Sequence, residues 1–198
     1  MKRNRLLILL FLGISSFSQA QLKSYEDSLR FYFKKYVAEH EVVTGTDRQY
    51  LQFFPVQESY RVLAEFNRTE NSPWFKLETT GAIQKNYRVF GTARFLLRDT
   101  IVVVNIYQSQ QLMDSPEYQD YLFLTFTDPT CGHDTYEGGR YIDLRLKDIS
   151  GDHIVIDFNK AYNPYCAYTS GYNCPIPPRE NHIRVAIRAG EMKYGKKH

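Results

Sequence analysis

From Tyr60 onward the side chains alternate along the sequence. Tyr60, Val62, Ala64 and Phe66 take one set of positions, and Arg61, Leu63, Glu65 and Asn67 the other. A period of two puts each set on its own face of a pleated strand, with one face half-buried. The pattern then recurs between turn signals. Asn71-Ser72-Pro73 is a turn, residues 74–80 read as a strand, and Gly81 turns the chain again. Tyr87, Val89, Gly91, Ala93, Phe95 and Leu97 are expected on one face of the next strand, with its small residues marking a bend. Arg98-Asp99 predicts a tight reversal into residues 101–107, an almost wholly apolar run suited to a central strand. Residues 108–120 read as a loop with one helical turn, and residues 121–127 as a further strand. Short strands at this spacing predict a mainly β fold: a single antiparallel barrel or sandwich-like domain.

One helix precedes the strands. Leu22, Tyr25, Leu29, Tyr32, Phe33, Tyr36 and Val37 recur at three- and four-residue steps, which predicts an amphipathic helix over residues 22–40. Ser24 followed by Asp27 resembles a capping pattern at its start. Ahead of it, Lys2, Arg3 and Arg5 make a basic start, residues 6–12 are apolar, and Ser18-Gln19-Ala20 places small residues at a cleavage position. The apolar run is shorter than the roughly 20 residues a bilayer span needs, so residues 1–20 read as a signal peptide. The expectation is an exported protein, periplasmic or secreted, with no transmembrane segment in the mature chain. Removing residues 1–20 from the 198 leaves 178, a length for one β-rich domain over 21–198. The leader carries three basic residues and no acidic ones, so the formal charge falls from +3 to 0. A neutral chain gives no electrostatic case for nucleic acid.

The chemistry-bearing residues crowd into residues 128–191. Residues 140–146 and 153–158 are expected to form a hairpin turning near Ser150, in which residues whose numbers add to 300 face each other. Asp143 then opposes Asp157. Two carboxylates directly across a ladder repel unless an arginine, a shared proton or a cation relieves them. Residues 159–178 are broken by Asn163-Pro164, Ser170-Gly171 and the prolines from 175 to 178, and a long ordered loop of this kind is unusual unless it folds on itself or serves a site. Tyr162, Tyr165, Tyr168 and Tyr172 supply rigid amphipathic rings there, which suit packing and ligand contact equally. Cys166 and Cys174, eight apart, suit a loop-closing disulfide in an exported chain, leaving Cys131 over. A metal site from Cys131, His133, Cys166 and Cys174 has acceptable ligands, but its spacings match no familiar zinc pattern.

Two runs carry a family resemblance. They are Thr135-Tyr136-Glu137-Gly138-Gly139-Arg140-Tyr141-Ile142-Asp143 and Asp157-Phe158-Asn159-Lys160-Ala161-Tyr162-Asn163-Pro164-Tyr165-Cys166-Ala167-Tyr168. With Cys174-Pro175-Ile176-Pro177-Pro178-Arg179-Glu180-Asn181 and Ala189-Gly190-Glu191, they resemble bacterial proteins grouped as domain of unknown function 1684. Where that family shows three glycines after the tyrosine, this chain has Glu137-Gly138-Gly139. The resemblance implies a fold and a site region but no reaction.

The residues themselves leave three readings open. The first is a small-ligand-binding module between the 135–140 and 159–178 loops. Tyr136, Gly138, Gly139, Arg140, Asn159, Tyr162, Asn163 and Asn181 are its binding residues, with Arg140 clamping a carboxylate or phosphate. The second is a structural envelope protein, in which the polar stretch holds loops together. The third is a hydrolase- or lyase-type enzyme using Asp143 and Asp157 as an acid/base pair or as cation ligands. No nucleophile elbow, P-loop or HExxH helix supports the third, and no cofactor class is singled out.

Overall fold

A computed structural model describes residues 4–196, the side chains of 4–20 and 22 excepted. The chain divides into two units, Met1–His40 and Glu41–His198. The first is helix α1, Asn4–Glu39. It runs well ahead of the expected start, so Ser24 and Asp27 lie inside the helix and cap nothing. The residues before them are largely Leu, Ile and Phe, which propagate a helix rather than stop it. Arg30–Glu26 and Lys35–Glu39 ion pairs, each 3.9 Å, and a stacked Tyr32–Tyr36 pair support its exposed surface. Among the described residues no helix is long and apolar enough to cross a membrane.

The second unit is one antiparallel sheet. Its strands are β1 Arg61–Arg68, β2 Phe75–Leu77, β3 Lys85–Leu97, β4 Thr100–Ser109, β5 Tyr121–Phe126, β6 Arg140–Arg145, β7 Ile149–Ser150 and β8 His153–Asp157. A short helix, α2 Gln110–Met113, follows β4. The order across the sheet is β6-β5-β4-β3-β1-β8-β7, with β2 paired to the first part of β3. Arg98 and Asp99, with φ of 46° and 62°, form the two-residue turn between β3 and β4, where Leu97 faces Thr100. Paired left-handed residues match the twist of the strands they join.

The sheet is open, neither a closed barrel nor a sandwich. Its end strands β6 and β7 are nevertheless joined by the three-residue turn Leu146–Asp148. Four residue steps span at most about 14 Å, so the sheet must curl until its two edges lie close. With only two residues in β7, no ladder spans the remaining gap. The edge of β6 is met instead by the late loop, where Tyr141 and Tyr162 exchange both backbone hydrogen bonds (2.9 and 3.0 Å).

The curl encloses the main core, built from Tyr60 just ahead of β1 and Val62, Ala64 and Phe66 within it, together with Phe95, Val104, Ile106, Leu124, Phe126, Ile156 and Phe158. A second cluster, Leu77, Tyr87, Tyr107, Phe123 and Tyr141, is built from the opposite side-chain set. Strand β3 serves both. The register slips between Val89 and Gly91, so Tyr87 and Val89 belong to the second cluster while Phe90, Ala93, Phe95 and Leu97 join the first. The expected single face is therefore split, because one extra residue in a strand inverts everything after it. Gly91 is required at this bend: a Cβ there would meet the Phe66 ring at 2.4 Å and the Asn67 carbonyl at 2.7 Å.

The expected Asp143–Asp157 pairing is overturned by the strand order. Asp143 lies opposite Phe123 on β5, and Asp157 opposite Arg61 on β1, near the other end of the sheet. The hairpin partner of β8 is β7, with Ile149 facing Ile154. The Asp148 carboxylate accepts the Arg145 backbone N–H (2.8 Å), closing a turn that carries the chain from one edge to the other before β6 can pair with β8.

Candidate functional site

The polar stretch is held together from within. Arg140 opens β6 with its side chain wholly buried, as is that of Asp128. Its guanidinium donates to Asp128 Oδ1 (3.2 Å) and to the carbonyls of Ile187 (2.8 Å), Ala189 and Glu191 (3.3 Å). Asp128 in turn accepts from the Ile187 N–H (2.7 Å) and the Thr130 hydroxyl (2.9 Å). Burial pulls Arg140 below its ordinary pKa, and the Asp128 charge opposes that pull. The group placed by sequence on a ligand thus has its Nη donors on Asp128 and on the chain's own C-terminal segment.

Three asparagines make similar ties. Asn159 Oδ1 accepts the Gln57 N–H (3.0 Å) while Nδ2 donates to the Gln57 carbonyl (2.9 Å) and to Asp157 (3.1 Å). Asn181 stands between β4 and β5, whose ladder among the described residues is registered at Tyr107–Phe123. It accepts the Asn105 N–H (2.8 Å) and donates to the carbonyls of Asn105 (2.9 Å) and Thr125 (2.8 Å), replacing a stretch of strand. Asn163 donates to the Met192 carbonyl (2.8 Å), and its own N–H reaches Glu191 (2.9 Å). Gly139, at φ 88°, lets β6 pass the Phe126 carbonyl, which a Cβ would meet at 2.6 Å.

Asp143 is exposed, and its Oδ1 accepts hydroxyls from Tyr121 (2.6 Å) and Tyr162. Burial first, and neighbouring negative charge including that of Asp143, push both phenols well above 10, so they stay protonated donors. Asp157 is buried and accepts the Asn159 N–H (3.1 Å) at the turn that follows β8. The two carboxylates thus have separate partners and separate surroundings.

Two open clefts lie elsewhere. A cleft of 640 Å³ is lined by Thr80, Tyr136, Cys166 and residues 168–172. A second of 540 Å³ is lined by Tyr136, Glu137, Cys166, Ala167 and residues 193–196, so the clefts share Tyr136 and Cys166. Most of the first wall is the loop between Cys166 and Cys174, which lie at disulfide distance with Cα atoms 6.4 Å apart. That pairing takes two of the four ligands from the cysteine and histidine metal set. The third cysteine, Cys131, is half-buried, and burial pushes its thiol up, away from the reactive thiolate.

Thr80 pins this loop to the body of the domain. Its hydroxyl accepts the Cys174 N–H (3.1 Å), donates to the Tyr172 carbonyl (3.1 Å) and lies 3.0 Å from Cys166 Sγ. The Tyr168 hydroxyl is bound to buried Glu191 (2.6 Å), and its ring meets Tyr194 edge-on at 5.2 Å. Tyr136 lies over Gly138, where a Cβ would meet its ring at 2.4 Å. By contrast, the hydroxyls of Tyr136, Thr169, Ser170 and Tyr172 have no hydrogen-bond partner among the described residues.

The family described as protein of unknown function (DUF1684) matches residues 47–192. The chain belongs to this family. The match covers the whole sheet, the first cleft, the second cleft apart from residues 193–196, and the Arg140–Asp128 anchor. A solution NMR structure of an uncharacterized protein of Haloarcula marismortui is 30% identical, with a TM-score of 0.63, over 91% of this chain and 96% of that one. No curated protein matches the sequence. Within this DUF1684 chain, only Tyr136 of the sequence-derived binding residues lines the first cleft. Gly138 supports it, Arg140, Asn159, Asn163 and Asn181 bind their own backbone, and Tyr162 binds Asp143. The cleft residues Thr169 and Ser170 are legible in the sequence only as part of a short hydroxyl-rich loop between two cysteines. Thr80, 86 residues before Cys166, carries no sequence signal at all.

Proposed function

We propose that this chain is an exported protein whose β domain binds a small ligand in the cleft between Tyr136 and the 166–174 loop. One observation carries the reading. Tyr136, Thr169, Ser170 and Tyr172 line a 640 Å³ cleft, and their hydroxyls have no hydrogen-bond partner among the described residues, whereas the side chains of Arg140, Asn159 and Asn181 are bound to the chain's own backbone. A concave site with a few convergent polar groups on aromatic walls is the usual form of a small-molecule site. The anchored network behind it serves the same end, since a wall held by a cystine, Thr80 and Glu191 loses little freedom when a ligand arrives. Export is supported by the basic start, the apolar run, the small residues before position 21, and a loop-closing cystine, which persists in oxidising compartments.

The test has two arms. Mass spectrometry of the protein recovered from its own host is expected to give an N-terminus at Gln21; a retained leader would remove the export reading. Amide spectra collected against a metabolite library are expected to move first at Tyr136 and residues 168–172. Shifts confined to other surfaces, or none, would remove the cleft.

A second reading, a structural envelope protein, draws on the closed polar network. Arg140, Asn159 and Asn181 all bind backbone groups distant in sequence. It expects variants of the cleft hydroxyls to leave host phenotypes unchanged, and variants of Arg140 to abolish them.

A further inference from the structure

We propose that the cleft takes a neutral, polyhydroxylated ligand, an oligosaccharide longer than one ring, laid along Tyr136 and Tyr172. The inference rests on the cleft reading above and names the chemistry the lining selects.

Charge is the first discriminator. Thr80, Tyr136, Thr169, Ser170 and Tyr172 bring hydroxyls and rings to the first cleft, and the cysteine there is paired. None of these groups is charged at neutral pH; burial and the neighbouring Glu137 hold Tyr136 further from ionising. A charged ligand seated here would give up hydration without gaining a counter-ion.

Unpaired hydroxyls are the second. A wholly apolar ligand would cover the four unengaged hydroxyls and leave them without water or a partner, which is unfavourable. A sugar ring answers both surfaces. Its C–H faces meet the tyrosine rings, while its hydroxyls donate and accept freely enough to pair with Ser, Thr and Tyr oxygens.

Length is the third. The second cleft adjoins the first, and the two share Tyr136 and Cys166 in their linings. Its cations are partly compensated: Lys196 binds Asp47 at 2.7 Å, and Glu137 lies in the same lining. A chain that leaves the first cleft therefore finds a mixed polar wall, not a strong cationic one.

The experiment uses the disulfide-intact full chain and five probes, maltotriose, cellotriose and tri-N-acetylchitotriose as neutral sugars, trigalacturonate as the charged sugar and indole as the apolar ring, with the monosaccharides of the three neutral sugars as length controls. Amide spectra report where each binds, and calorimetry reports how tightly. At least one neutral trisaccharide is expected to shift Tyr136, Thr169, Ser170 and Tyr172, with residues 193–196 shifting for the trisaccharide but not for the matching monosaccharide. Tyr172→Ala is expected to weaken that binding by about tenfold, the scale of a lost aromatic contact. Tyr172→Phe is expected to retain most of it. Tyr172 is exposed, so neither variant threatens the fold.

If trigalacturonate or indole alone shifts the cleft, the ligand class is overturned and the cleft reading stands. Sugar shifts elsewhere on the surface overturn the class as well. If no sugar binds, the class falls; the cleft reading falls with it only if the metabolite library also leaves these resonances unmoved.

Discussion

Arg140 and Asp128 form an ion pair of 3.2 Å in which neither side chain is exposed to water, and together they fasten the backbone at Ile187, Ala189 and Glu191. The sheet's first edge strand and the chain's last packed segment are thereby one unit. Removing one partner leaves an uncompensated buried charge, so Arg140→Ala or Asp128→Ala is expected to destabilise the protein by about 3–5 kcal/mol. The midpoint and slope of urea unfolding measure this. The double variant is expected to lose less than the two single losses combined, because the pair is shared. A loss under about 1 kcal/mol, the range of exposed pairs, would show that the anchor carries little.

Asn181 stands in for missing strand between β4 and β5. Truncation to alanine strands the Asn105 N–H and carbonyl and the Thr125 carbonyl in a buried seam. Each such group costs about 1–3 kcal/mol when left unpaired. Asn181→Ala is expected to lower stability by more than a single hydrogen bond and to speed hydrogen exchange at Asn105 specifically. Unchanged protection at Asn105 would contradict the role given to the side chain.

The cystine between Cys166 and Cys174 closes the loop that forms most of the cleft wall. A loop this short is worth about 2–3 kcal/mol in the chain-entropy picture. Reduction, or Cys174→Ser, is expected to cost about that amount and to broaden the amide signals of residues 168–172, while the Asn105 and Ile187 amides stay protected. Broadening across the whole sheet would mean that the loop is integral to the core and not a separately fastened wall.

Alkaline pH attacks the second aromatic cluster. Burial raises Tyr87 and Tyr107 to about 12 and, with neighbouring negative charge, raises Tyr121 and Tyr162 well above 10. The unfolded chain releases these protons near 10, so between 10 and the folded values the unfolded state is favoured by each step in pH. The stability these phenols contribute is complete below pH 10 and is lost as pH rises toward 12. Denaturant midpoints from pH 8 to 11.5, with phenolate absorbance followed in parallel, are expected to show this fall. Tyr121→Phe with Tyr162→Phe is expected to make it shallower; an unchanged slope would assign the alkaline loss to other groups.

Short-range features are legible in the amino-acid sequence alone. The two-residue period beginning at Tyr60, the Arg98-Asp99 turn and the pairing of Cys166 with Cys174 depend on neighbours in the chain, and each stands where its residues put it. Family membership is equally plain, since the runs around Gly139 and Asn163 carry it whatever they touch.

Long-range register is not legible in that way. One bulged residue at Val89/Gly91 moves half of β3 to another face, and a three-residue turn after Arg145 sends β6 and β8 to different partners and separates Asp143 from Asp157. Local pattern specifies which side chains share a face; it does not specify which strand lies alongside, because that depends on packing the whole apolar set at once. The same holds for the polar residues. Whether Arg140, Asn181 or Ser170 faces the chain or a ligand depends on which carbonyls and carboxylates arrive from distant positions, and tertiary structure alone decides that.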